Sequence, residues 1–241
     1  MLGSLARIGG ALGAAALLAA TARPASAATL TAYDTFGSGS LNATSSTLLN
    51  TTWGDRVLLA ATGKLDTFEF TVFNSGSSAG NLTAINVLLR FFDGPSFNTA
   101  TGTGNLLGFV DGDVFFGSGL PPGTYSSISV AGNALSTPIS FTTNDIFITQ
   151  TLLAKAGPAT RLGIIVSSAA PIVGTNYDGF FFRSNSSGTG LFQLSGTTSN
   201  VLYVLKVTPA PPPLPVFGAV AALRWSRRLR KAVRHRQQGE G

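Results

Sequence analysis

Apolar residues between positions 28 and 208 recur in short runs, and within several runs they fall on every second position. In "FEFTVF", Phe68, Phe70 and Val72 share one face while Glu69 and Thr71 share the other, a period of two that fits a half-buried strand. Comparable runs are "VLLAA" from Val57, "NVLLRFF" from Asn86, "SSISV" from Ser126, "DIFITQTLL" from Asp145, "TRLGIIVSS" from Thr160, "GFFFR" from Gly179 and "NVLYVLKV" from Asn200. Gly, Asn, Ser and Pro clusters separate them, as turns do. No helical stripe interrupts the series. The pattern predicts an all-β domain over 28–208, an antiparallel β-sandwich of jelly-roll-like form, large enough to bury a core without cross-links.

The two ends follow other rules. Residues 1–27 place Arg7 and the start amine before an apolar stretch, Ile8 to Ala22, then Pro24 and the small residues Ala25-Ser26-Ala27. This order predicts a signal helix cut by signal peptidase between Ala27 and Ala28. Residues 209–241 run from a proline cluster (Pro211, Pro212, Pro213, Leu214, Pro215) through an apolar segment ending at Leu223 to Trp225 and the cations Arg227, Arg228, Arg230 and Lys231. As a helix the apolar segment covers about 15 Å at ~1.5 Å per residue, against a bilayer core of roughly 30 Å. It is too short for an ordinary permanent span and predicts a short apolar and basic helix in transient contact with the inner membrane.

Charge changes the picture only through its location. The 241 residues carry 16 Lys and Arg against 10 Asp and Glu, a net +6 and a pI near 10.2. Arg7 and Arg23 precede residue 28 and seven cations follow residue 208, so the middle holds seven cations against nine acids, a net −2. A nucleic-acid partner, which needs a basic face on the domain, is excluded. The absence of cysteine rules out a disulfide framework.

The C-terminal order "PAPPPLPVFGAVAALRWSRRLRKAVR" resembles the PEP-CTERM class of sorting signals, and the resemblance covers Pro209 to Arg236. It departs from that class in lacking Pro-Glu-Pro and is more similar to the "PLP"-containing variants of cyanobacterial relatives. The resemblance implies export, processing by a membrane transpeptidase of the exosortase type, and a cell-surface or extracellular-matrix destination. The stretch from Trp53 to Gly108, with "TWGDRVLLAATGKLDTFEFTVFN" and "INVLLRFFDG", is similar to exported sandwich domains that carry such tails; it implies fold and context and no activity.

Candidate chemistry is sparse. The one histidine, His235, lies in the basic tail, so residues 28–208 contain neither imidazole nor thiol. Ser-His-Asp and Cys-His nucleophiles and His or Cys zinc sites are excluded there, and no enzymatic activity is expected. In "VDGDVFFGSG", Asp111 and Asp113 offer two hard oxygen ligands for calcium, with Asp93 or Asp145 to complete a shell; the alternative is a polar hairpin turn at Asp-Gly. No other cofactor is indicated. Trp53, Tyr125 and Tyr177 lie near predicted turns, where exposed rings stack on sugars, or else they pack into the core. The expectation is a structural or adhesive exported protein, the alternative a carbohydrate-binding module acting on extracellular polysaccharide.

Overall fold

Alternation at 68–73 is part of a twelve-residue strand in which Phe68, Phe70 and Val72 are buried. The computed structural model describes residues 27–36, 40–46, 51–75, 80–157, 161–177, 179–183, 193–194 and 198–210. In chain order its strands are β1 (Leu30–Asp34), β2 (Leu41–Ser46), β3 (Thr52–Leu58), β4 (Gly63–Asn74), β5 (Leu82–Asp93), β6 (Leu106–Leu120), β7 (Thr124–Ala131) and β8 (Ser140–Phe141). They continue with β9 (Asp145–Ala156), β10 (Leu162–Ser167), β11 (Thr175–Asn176), β12 (Phe181–Arg183), β13 (Gln193–Leu194), β14 (Asn200–Val201) and β15 (Tyr203–Thr208).

The strands form two antiparallel sheets, and the chain from Ala27 to Pro209 is one compact unit, a β-sandwich. The first sheet runs β1-β15-β4-β10-β14, with β2 on β10 and with β7 and β8 on β4. The second runs β13-β12-β3-β9-β5-β6, with β11 on β3. Between them the Phe68 ring meets Phe91 edge-on and Tyr203 at a tilt, both at 5.1 Å between centroids, and Phe91 meets Phe141 at 5.6 Å. Burying each such ring stabilises the fold by about 1.5–3 kcal/mol.

Three expectations shift. The run from Val57 is not a strand of its own: pairing with β9 fixes β3 over Thr52–Leu58, which brings Trp53 and Asp55 into the sheet. The run from Asn200 breaks at Leu202, where the chain passes from beside β10 to beside β4. "VDGDVFFGSG" is not a turn; it lies inside the fifteen-residue β6, where ten residue pairs with β5 outweigh local Asp-Gly turn preference.

The expected signal helix and C-terminal helix lie outside the described residues. So do Ala25, Pro211, Pro212, Pro213, Leu214, Pro215, Trp225, Arg227, Arg228, Arg230 and Lys231. Ala27 and Ala28 precede β1 in irregular backbone, with Ala28 exposed. Among the described residues no helix is long and apolar enough to cross a membrane.

Candidate functional site

The sandwich opens along one side. There β6 ends the second sheet and β7 flanks β4 in the first. A tight turn joins them: Pro122 and Gly123 occupy its centre, Gly123 has φ 74°, and Thr124 N–H donates to the Pro121 carbonyl at 3.3 Å, the signature of a type II turn. The diverging edges leave a cavity of about 430 Å³ between Leu106–Asp111 and Ala134–Ile139. A second cavity, of about 260 Å³, has Val87, Leu89, Val110, Val114 and Val130 on its walls.

Alternation along β6 sorts its side chains. Val110, Val114 and Phe116 pack against the core, while Phe109, Asp111, Asp113 and Phe115 point outward and are exposed. Asn86, opposite Asp113 on β5, donates from Nδ2 to Asp113 Oδ1 at 3.0 Å and to Asp111 Oδ1 at 3.3 Å. The carboxylates thus share a face and a donor. Neither expected helper joins them. Asp93 lies five residues along β5 from Leu88, the residue opposite Asp111, a separation of about 17 Å at ~3.4 Å per residue. Asp145 on β9 is committed to Arg56. Among the described residues no group of three or more His, Cys, Asp or Glu could share a metal ion.

The outer face of the second sheet carries a compact polar cluster. Arg56 projects from β3 between the inward-facing Asp55 and Val57, and its Nε and Nη2 donate to Asp145 Oδ1 and Oδ2 at 2.9 and 2.7 Å. This bidentate pair raises the Arg56 pKa, chiefly through the hydrogen bonds to Asp145. The guanidinium lies 4.4 Å from the Tyr177 ring centroid, and the Tyr177 hydroxyl donates to Asp145 Oδ2 at 3.3 Å.

The three candidate sugar-stacking rings do not meet. Trp53 is 2% exposed and belongs to the core, because β3 alternation turns it inward with Val57; no sugar ring reaches it there. Tyr125 lies on the outward face of β7, in the first sheet, since Ile128 and Val130 point to the core. Tyr177 packs on Arg56 at the outer face of the second sheet. The two exposed tyrosines therefore stand on opposite faces of the sandwich.

Sequence reasoning passed over a buried polar junction. Strand β15 accompanies β4 up to Phe70, opposite Tyr203, and β10 takes over at Phe73, opposite Gly163. At this fork the backbone loses ladder partners, and buried side chains replace them. Thr35 Oγ1 accepts from Tyr203 N–H at 2.8 Å and lies 3.1 Å from the Val201 and Tyr203 carbonyls. Gln150 Nε2 crosses from the other sheet to donate to the Thr71 carbonyl at 2.9 Å, and Thr71 Oγ1 accepts from Ile165 N–H at 3.0 Å. Asp55 Oδ2 accepts from Val201 N–H at 2.9 Å, while its Oδ1 and the hydroxyls of Tyr33 and Tyr203 are buried with no hydrogen-bond partner among the described residues. Burial drives the Asp55 pKa well above the ordinary carboxylate range, against the smaller opposing pull of the Val201 and Arg56 N–H groups. The only signal in the sequence is that Asp55 sits two residues from both Trp53 and Val57, on the inward parity.

No protein-family model matches the chain, and the search of curated proteins found no match. Its backbone is similar to virus structures: that of the infectious bursal disease virus Gx strain, at 14% identity and TM-score 0.24, covers 86% of this chain and 48% of that one. The infectious bursal disease virus VP2 subviral particle, at 13% identity and TM-score 0.19, covers 85% and 47%. The chain spans about half the length of the chains it matches, and at these TM-scores the likeness defines neither fold nor function.

Proposed function

We propose that this chain is a non-enzymatic exported protein with a structural or adhesive role at the cell surface or in an extracellular matrix, released through processing of its C-terminal segment. The observation that carries it is the pairing of two sorting-type ends with a single domain that holds neither imidazole nor thiol. The side chains with chemical potential support it: Asp55 is occupied in a backbone junction, and Asp145 is tied to Arg56. Signal peptidase and a membrane transpeptidase are its partners during export, with a transient hold at the inner membrane through the tail.

Within the sandwich class we assign a jelly-roll-like arrangement. Its support is the strand order. Taken alone and renumbered in chain order, β1, β3, β4, β5, β6, β7, β9 and β15 give sheets 1-8-3-6 and 2-7-4-5, the order of an eight-stranded double Greek key.

A glycan contact at Tyr177 is the second reading, favoured by a half-exposed ring beside a guanidinium and a carboxylate. A pull-down of the exported protein on extracellular polysaccharide separates the two. The structural role predicts no saccharide-specific retention; binding that is competed by one sugar and lost in Tyr177→Ala replaces it with the glycan role.

A further inference from the structure

Strand β6 contains a palindrome. Phe109–Phe115 reads F-V-D-G-D-V-F in either direction about Gly112. It lies in the stretch of β6 that pairs with β5 without a bulge, from Gly108 opposite Phe91 to Phe115 opposite Ala84. Because β6 ends its sheet, its other edge has no strand beside it among the described residues, and such an edge is a template for another strand.

We infer that two copies of this chain pair antiparallel along β6 about a two-fold axis at Gly112, joining their second sheets into one continuous sheet. The palindrome makes that pairing self-matched. Phe109 of one copy stands opposite Phe115 of the other, Val110 opposite Val114, Asp111 opposite Asp113, and Gly112 opposite itself. Phe109 and Phe115, at 57% and 75% exposure, are the most exposed aromatic rings among the described residues, and pairing gives each a cross-strand aromatic neighbour. On the opposite face Val110 and Val114 are half-buried, and a Cβ on Gly112 would meet nothing within 4 Å. The second copy's valines extend over that open space. Four carboxylates gather near the axis and oppose the pairing. On each copy Asn86 Nδ2 already donates to both of them, and salt screens what remains, so association strengthens as ionic strength rises. None of this depends on the export reading.

A chain without cysteine makes the axis directly testable. Directly opposed residues of an antiparallel pair lie about 4.5–5.5 Å apart at Cα, within disulfide range. Gly112→Cys should therefore cross-link to a covalent dimer under mild oxidation, more completely at high salt, and the open space at that position accommodates the side chain. Phe115→Cys alone should form no covalent dimer, because the two positions 115 are offset by about 20 Å along the strands. An equal mixture of Phe109→Cys and Phe115→Cys should again yield a covalent dimer. Sedimentation equilibrium of the unaltered protein should show a dimer, weakened at least tenfold by Phe115→Lys. A monomer at every concentration, with no cross-link at position 112, overturns the proposal and makes Asp111 and Asp113 guards of the edge. Equal cross-linking at 112 and 115 overturns the axis.

Discussion

Replacing Asp55 with asparagine tests the buried junction through the pH dependence of stability. In the folded chain the carboxyl is fully buried, one oxygen accepts from Val201 N–H, and burial holds its pKa well above the unfolded value of about 3.8. Above that value the unfolded chain has lost the proton while the folded chain keeps it. Stability is then complete below the unfolded pKa and declines as pH rises, until the folded pKa is reached. One proton of difference gives a slope of about 1.4 kcal/mol per pH unit. Asparagine retains an oxygen for Val201 N–H and brings an amide that can donate toward the unpartnered tyrosine oxygens, but it does not titrate. Wild type and Asp55→Asn should thus have similar stability near pH 4, and the variant should gain on wild type by about 1.4 kcal/mol with each further unit until the folded-state pKa is reached. Asp55→Ala should run parallel to Asp55→Asn and lie about 1–3 kcal/mol below it at every pH, because Val201 N–H is left buried and unpaired. Urea unfolding from pH 4 to pH 8 measures all three, and in the difference between wild type and asparagine the other carboxylates cancel. Parallel curves for these two proteins would show that Asp55 titrates alike folded and unfolded, and the account of the junction would fail.

Gly54→Ala should destabilise by about 1–3 kcal/mol, because its Cβ would lie 2.6 Å from a Phe147 ring carbon while that ring is stacked on Phe97 at 3.9 Å. Thermal melts in a Phe147→Leu background should show a smaller cost; an unchanged cost would place the strain elsewhere. Chelation should leave the melting temperature unmoved, since Asp111 and Asp113 gain no third ligand from Asp93 or Asp145. A fall of several degrees with EDTA, absent when both are changed to asparagine, would reveal a calcium site.

What was legible in the sequence was what local alternation controls. Phe68, Phe70 and Val72 face the core as their spacing requires, and the runs from Asn86, Ser126 and Asp145 lie within β5, β7 and β9. Turn chemistry misled at Asp111-Gly112-Asp113, although Val110, Gly112 and Val114 alternate with the two acids as a strand demands. The decisive fact there is the long partner β5, which local composition does not encode. For Trp53 the sequence left stacking and core packing open, and Asp55 drew no reading at all; both are decided by the pairing of β9 and β12 on either side of β3. The Arg56–Asp145–Tyr177 cluster joins residues from three distant segments, and only the sheet order brings them together.

The proposed function stands most directly on what the cell does with the two ends. Intact-mass spectrometry of the protein recovered from outside the native host should give a species that begins at or near Ala28 and ends within the 209–215 cluster. That species lacks His235 and all seven tail cations. Proline has no N–H to give to a strand ladder, so a proline-rich sequence between domain and tail suits a processing enzyme. The trimmed chain should also focus as an acidic protein, by the −2 balance of residues 28–208. A freely secreted mass that still contains "RWSRRLRKAVRHR" would contradict the sorting role and leave the tail an ordinary cationic extension.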